Sequence, residues 1–395
     1  MNPSCIFTLK KYKNNTNKPF IMKLTSLFLS IALLGSTCCC QAPSGSRIEQ
    51  LADDIEEWAE DFEDSMEDFT DEMEDFADEM DDLAENVGSD STLVIQNNGG
   101  AVTYYKWQNK NKGNGIHISK KDRYLTRKFD IGAFRGLDVN HSFEVVMCDT
   151  IDKIIVRINE KLDKHLNVRL NKGTLVVKLD NLKDITMDND AKCGYIYLPY
   201  NLKLSSISLS GTSTFYTALP VKSPVFSIEQ SGATACTMKK GVVCNNLEID
   251  LSGTSVCKGN FVCKNSSVDM SGATIFGGTL KATDAEIDLS GVSRIKAKIN
   301  TAKLEADLGG ASNITLKGTA TDMEISLSGT SHLDCEGLSA ISICGEMSGA
   351  SSASVNASQS IAVDLSGTSS LTYSGQADIS RSSASRLASI KRETE

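Results

Sequence analysis

Four kinds of side chain in this 395-residue chain could do chemistry: twelve cysteines, four histidines, one register of hydroxyls and two rows of carboxylates. The hydroxyls are Ser213, Thr234, Ser255, Thr274, Ser293, Ser312, Ser331, Ser351, Ser369 and Ser385, each two residues after a recurring glycine or, for Ser385, its degenerate counterpart. As nucleophiles they would need a base in the same register. His117, His141, His165 and His332 share none. The hydroxyls therefore read as turn groups that bond backbone or one another, and no catalytic residue is assigned.

The carboxylates form two rows. Glu229, Asp250, Asp269, Asp288, Asp307, Glu346 and Asp364 stand three residues before the glycine, with Ser208 and Ser326 in the remaining places. Glu248, Glu286, Glu305 and Glu324 stand two residues earlier. Like charges stacked on adjacent strands repel. Lys258, Lys296, Lys298 and Lys317, across the glycine, are placed to offset them. Carboxylate oxygens also suit a hard cation such as Ca²⁺, but a run of charge is ordinarily a solvated face, and no metal or cofactor is expected. Among the cysteines, Cys236 and Cys257 share one register on adjacent copies, and Cys244 and Cys263 share another. Stacked positions fall within the Cα separation of a disulfide. The pairs either close as coil-to-coil disulfides or pack as free thiols in a small apolar ladder. No Cys-x-x-Cys pair with a nearby histidine points to zinc.

These rows exist because the chain repeats. The signature is Ser-Gly, then Thr, Ala or Val, then Ser or Thr, with glycines at 211, 232, 253, 272, 291, 310, 329, 349 and 367. Gly309 replaces the serine once, and Ser382-Ser383-Ala384-Ser385 is a degenerate tenth copy. Two residues before the glycine every copy is apolar except Gln230; four after it stand Phe215, Cys236, Cys257, Phe276, Ile295, Ile314, Leu333, Ala353 and Leu371. Alternation such as Leu247-Glu248-Ile249-Asp250-Leu251 has period two and predicts strands. Coils of about 19–21 residues are too short for helical repeats and suit strands joined by tight turns. The prediction is an all-β solenoid, a parallel β-helix over 124–390. Glycine takes the corner, where positive φ or close backbone approach is needed. Residues 124–200 alternate less regularly; they begin the solenoid and cap its open end.

Lys23, an apolar run Leu24 to Leu34 and Gly35-Ser36-Thr37 precede Cys38-Cys39-Cys40. This is a secretory signal over residues 1–40, with Met22 as the natural start. It is too short to span a bilayer as a helix. It resembles a bacterial lipoprotein signal, which implies lipid attachment at Cys38. Residues 47–87 hold twenty Asp or Glu and one Arg. Their apolar residues, from Ile48 to Val87, recur every three or four, predicting a long acidic amphipathic helix. Its seam either forms a coiled coil through which copies associate or packs on the chain's own domain, or acids at i,i+4 repel and leave the segment partly disordered. Residues 88–123 read as a linker or hairpin, with a turn at Asn97-Asn98-Gly99-Gly100.

Composition narrows the function. The formal charge of −11 argues against nucleic-acid partners. Two Trp and four His argue against haem or a His-rich metal enzyme. Arg127-Lys128-Phe129-Asp130, Ile196-Tyr197-Leu198-Pro199, the Ser-Gly repeats and Tyr373-Ser374-Gly375 together resemble the putative auto-transporter adhesin, head GIN domain family, over about residues 127–390. These are bacterial envelope proteins common in Bacteroidetes. The resemblance implies a single-stranded right-handed β-helix, in accord with the preferred hand of parallel crossovers. The expected function is a non-enzymatic, exported, lipid-anchored protein of the cell envelope or outer membrane, on its periplasmic or surface face, with a head for adhesion to a protein or glycan. The alternatives are a carbohydrate-active β-helix enzyme such as a polysaccharide lyase, or a purely structural envelope protein. A lyase wants long loops and a groove of mixed charge, and coils this short leave little room for loops.

Overall fold

The computed structural model describes residues 91–98, 101–108 and 115–393, apart from 183–184, 189–190, 201–202 and 381–382. The expected leader with Cys38 and the expected acidic helix over 47–87 lie outside the described residues. Ser91–Asn98 and Ala101–Gln108 pair antiparallel, with Asn98 opposite Ala101.

From Gly136 onward the chain is a β-solenoid of about ten turns. Each repeat supplies a strand before the glycine and a strand after it, and each pairs parallel and in register with its counterpart in the next coil. Asn246–Leu251 lies on Asn265–Met270, which lies on Asp284–Leu289. Val256–Val262 lies on Ile275–Lys281 in the same way. Period-two alternation sends Leu247, Ile249 and Leu251 inward, each at most 3% exposed, and Glu248 and Asp250 outward. No coil can bury its inward row alone; stacking at about 4.8 Å makes the core continuous. Large and small side chains share that core. Phe215 and Phe276 flank Cys236 and Cys257 in one inward row, and the Phe261 and Phe276 rings stack with centroids 5.9 Å apart.

The corner is held by backbone. All nine repeat glycines have φ between +67° and +82°. The residue after each donates its N–H to the preceding corner's carbonyl, as in Val292 to Gly272 at 2.7 Å. Beneath Gly211 the corner belongs to His141, at φ 80°, whose carbonyl takes the Thr212 N–H at 2.6 Å. The hydroxyl row two residues on is at most 2% exposed from Ser213 to Ser369. Ser255, Ser293, Ser312 and Ser369 each donate to the carbonyl three residues back, at 2.6–2.7 Å, and Thr274 meets Ser293 at 3.1 Å. Gln230, the one polar residue of its inward row, is 3% exposed and donates to Thr234 Oγ1 and to the Val256 carbonyl.

The N-terminal end departs from simple coiling. Gly136–Val139 and Phe143–Cys148 form the first coil, stacked on Ser206–Leu209 and Thr214–Thr217. Its other edge is covered by later residues, Thr174–Leu179 and Gly194–Pro199. Antiparallel partners then close that layer: Leu166–Asn171 on Thr174–Leu179, Ile154–Asn159 on Gly194–Pro199, and Tyr124–Phe129 outermost. The expected cap is present, but its antiparallel pairing and out-of-order threading correct the picture of a single-stranded parallel helix starting at 124. Parallel coils expose edge groups at their ends; antiparallel hairpins consume them.

The corner geometry predicts a contrast. A Cβ on Gly291 would stand 2.5 Å from the Gly272 carbonyl oxygen at φ +73°, so Gly291→Ala should cost about 2 kcal/mol or more. At Gly309 the nearest atoms are 3.7 Å away, so Gly309→Ser should stay within about 0.5 kcal/mol of the parent. Denaturant midpoints of the two variants measure the difference.

Candidate functional site

Outward positions three residues before the corner line a groove of about 700 Å³ along the solenoid. It is lined by Glu229, Asp250, Asp269, Asp288 and Asp307 and by the serines just before the corner, such as Ser231, Ser252, Ser271 and Ser290. In-register pairing puts Asp250, Asp269, Asp288 and Asp307 on successive coils. Three of the lining serines spend their protons on backbone carbonyls of the neighbouring coil: Ser252 donates to Gln230 at 3.1 Å, Ser290 to Met270 at 3.3 Å and Ser328 to Leu308 at 3.4 Å. What faces the groove is thus a double row of acceptors. It suits a ligand rich in donors, such as sugar hydroxyls, amides or ammonium groups.

Stacking has an electrostatic consequence. Partial burial, followed by the charges of Asp269, Asp307 and Glu286 and a hydrogen bond with Asp269, raises the Asp288 carboxyl to about 6. Burial, then Asp269 and Glu248, also raises Asp250. One cation sits in the neighbouring outward column. Lys303 Nζ is 3.1 Å from Glu305 and 4.0 Å from Glu324 of the next coil, so it ties two coils of the glutamate row. Among the described residues no group of three or more His, Cys, Asp or Glu converges to hold a metal ion.

The histidines stay apart from this groove. His117 meets Asp188 at 3.2 Å and Thr186 at 3.1 Å, His165 contacts the Asp180 carbonyl at 2.9 Å, His141 is a corner, and His332 contacts Ser352 Oγ at 2.7 Å. The buried hydroxyl row from Ser213 to Ser369 is closed to solvent. Most of its members bond turn backbone or a neighbouring hydroxyl, and the Ser351 hydroxyl has no partner among the described residues.

The structure brings the two predicted cysteine pairs together. Cys236 and Cys257 are register partners, both 0% exposed. Cys244 and Cys263 are hydrogen-bonded sulfur to sulfur, which lowers the Cys244 thiol and raises that of Cys263. All eight described cysteines are thiols here. Sequence reasoning placed the Asp row but not the groove, since which outward rows flank a concavity depends on how the coil bends. It also passed over His141, although Val139-Asn140-His141 matches Leu209-Ser210-Gly211 in register.

A raised carboxyl binds its proton more tightly in the folded chain than in the unfolded one. The folded state therefore holds more protons between about pH 4 and pH 6, and this contribution to stability is present below that window and lost as pH rises through it. Asp288→Asn should remove the effect. Relative to the parent, the variant should gain on the order of 1 kcal/mol at pH 7.5, after allowance for solvent screening, and nothing at pH 4. Chemical denaturation of both proteins across that range checks the sign.

Among curated proteins, none matches the chain. A solved structure titled a putative adhesin from Parabacteroides distasonis is 16% identical, covers 70% of this chain and 100% of its own, and superposes with a TM-score of 0.41. A putative adhesin from Parabacteroides merdae, also 16% identical, covers 70% and 99% with a TM-score of 0.36. A structure titled a putative lipid binding protein from Parabacteroides distasonis is 18% identical, covers 71% and 100%, and scores 0.40. The sequence matches the family described as "Putative auto-transporter adhesin, head GIN domain" twice, over residues 133–278 and 266–377. The two matches together span the solenoid from its first coil to its last full one, and the chain belongs to that family.

Proposed function

We propose that this chain is an exported, non-enzymatic adhesin of the cell envelope, held by lipid at Cys38 and binding a protein or glycan through the acceptor-lined groove of its head. The observation that carries the reading is the repetition within the groove. Carboxylates recur on successive coils at about 4.8 Å, with hydroxyls beside them. A repeating row of weak acceptors holds an extended ligand by many small contacts, whereas turnover needs one distinctive constellation. The leader pattern before Cys38 supports anchoring, and family membership supports adhesion. The Cys244–Cys263 pair closes as a coil-to-coil disulfide after export. Cys244 is the easier thiol to ionise and Cys263 is part-exposed. The Cys244 thiolate attacks a disulfide of an oxidising envelope dithiol partner, and Cys263 displaces that mixed disulfide. One S–S bond forms as the partner's breaks, and the two thiol protons and two electrons pass to the partner, which leaves as a dithiol. Cys236–Cys257 has the same register but is sealed in the core.

Three measurements test these statements. Full-length protein should bind members of an immobilised panel of glycans and extracellular-matrix proteins. The triple variant Asp250→Asn, Asp269→Asn, Asp288→Asn should bind at least tenfold more weakly. Undiminished binding by that variant, or cleavage of a panel polysaccharide, would refute the groove. An alkyne-bearing fatty acid fed to expressing cells should label the parent and not Cys38→Ala. Exported protein should leave Cys263 unreactive to maleimide, and Cys244→Ser should make it reactive.

A further inference from the structure

The two faces that meet at the glycine corner carry opposite charge over the same coils. For the corners at Gly253, Gly272, Gly291 and Gly310, the outward positions three, five and seven residues before the glycine hold eight carboxylates and one cation, Lys303. The outward positions three, five and seven residues after it hold five cations and no carboxylate. The cations are Lys258, Arg294, Lys296, Lys298 and Lys317. All of these charged residues are part-exposed or exposed. The basic stretch ends one coil later, where Asp334 and Glu336 follow Gly329.

We infer that the acidic face of one copy docks on the basic face of another, so that heads associate side by side. Charge complementarity is the first argument. The second is placement. Both faces run along the same four coils, with the cations on those of Gly253, Gly291 and Gly310, three of them on the Gly291 coil. Two copies lying with their axes aligned bring the acidic rows of one along that basic cluster of the other. The contact is heterologous, since it joins two different patches, so each copy can take a neighbour on both sides and form a string or a ring. Its size sets its strength. Four coils by one six-residue strand is about 20 × 20 Å, or about 400 Å² per partner, below the range of stable complexes. The association is therefore weak, fast and salt-sensitive, and crowding on a surface strengthens it.

The test uses the full chain in sedimentation velocity at rising concentration. In 20 mM salt the parent should show concentration-dependent association, weakened about tenfold or more at 300 mM. Lys296→Glu with Lys298→Glu should weaken it about tenfold or more, because the basic face falls from five cations to three against two carboxylates. Glu286→Lys with Asp288→Lys should weaken it too, because the acidic face falls from eight carboxylates against one cation to six against three. Mixing the two variants should restore association, chiefly between unlike chains, since the first keeps its acidic face and the second its basic face. A parent that stays monomeric at low salt, or variants that associate as the parent does, would overturn the inference, as would a mixture that stays dissociated. Pairing through the acidic segment 47–87 would survive both reversals and is thereby distinguished. Should either double variant fail to fold by circular dichroism, Lys317→Glu against Glu305→Lys repeats the swap at other outward positions.

Discussion

At each corner the carbonyl oxygen of one glycine lies 2.4–2.6 Å from where a Cβ would stand on the glycine above, and accepts a backbone N–H at 2.7–2.8 Å from the residue beyond it. No side chain separates successive coils there. That close approach, available only to glycine at these φ values, is what lets the strands on either side keep register over so many coils. Register in turn decides everything the side chains do. Because each residue stands on its counterpart, one choice of residue becomes a row: an apolar row inside, a hydroxyl row under the turn, a carboxylate row outside. A slip by one residue would exchange the inner and outer rows.

Much of this was legible because a solenoid solves the same local problem again and again. The glycines, the buried hydroxyls and the inward Leu and Ile rows each answer a need met within one coil and its neighbour, so the answer recurs at a readable spacing. Even the exception is local: Gln230 breaks the apolar row and finds Thr234 within its own coil and the Val256 carbonyl. What stayed illegible is long-range or concave. Nothing in the order of residues says that Thr174–Leu179 slips beneath Gly136–Val139, since that pairing skips chain order. Nor does the alternation of Asp and Leu say which outward row borders a groove. His141 was hidden for a third reason. A histidine at a left-handed corner is uncommon, so a search for glycine passes it by.

The cap and the corner solve complementary problems. Corners bind coil to coil without limit, and an unlimited stack would go on recruiting strands at its open edges. The antiparallel layer of Tyr124–Phe129, Ile154–Asn159 and Gly194–Pro199 ends that process at one end. It is reinforced from outside by surface ion pairs such as Arg127–Asp163 and Lys161–Asp122. Growth along the axis is thereby blocked at this end, while the flanks remain open for lateral contact.

The carboxylate row is the feature the fold could most easily do without. Ser208 and Ser326 occupy its positions in two coils, and strand pairing there runs on unchanged. Partial burial, and after it the neighbouring acids, raise the proton affinity of Asp288 and Asp250, so at neutral pH these two work against the stack that carries them. A row that packing does not need, that costs stability and that borders the groove is placed for something outside the chain. The same reasoning applies across the corner, where five cations gather beside the acids without a carboxylate among them. Scattered charges would keep the head soluble equally well. Segregating them by sign onto two faces of the same coils leaves the head with opposite electrostatic sides, and that arrangement has an effect only when another surface approaches.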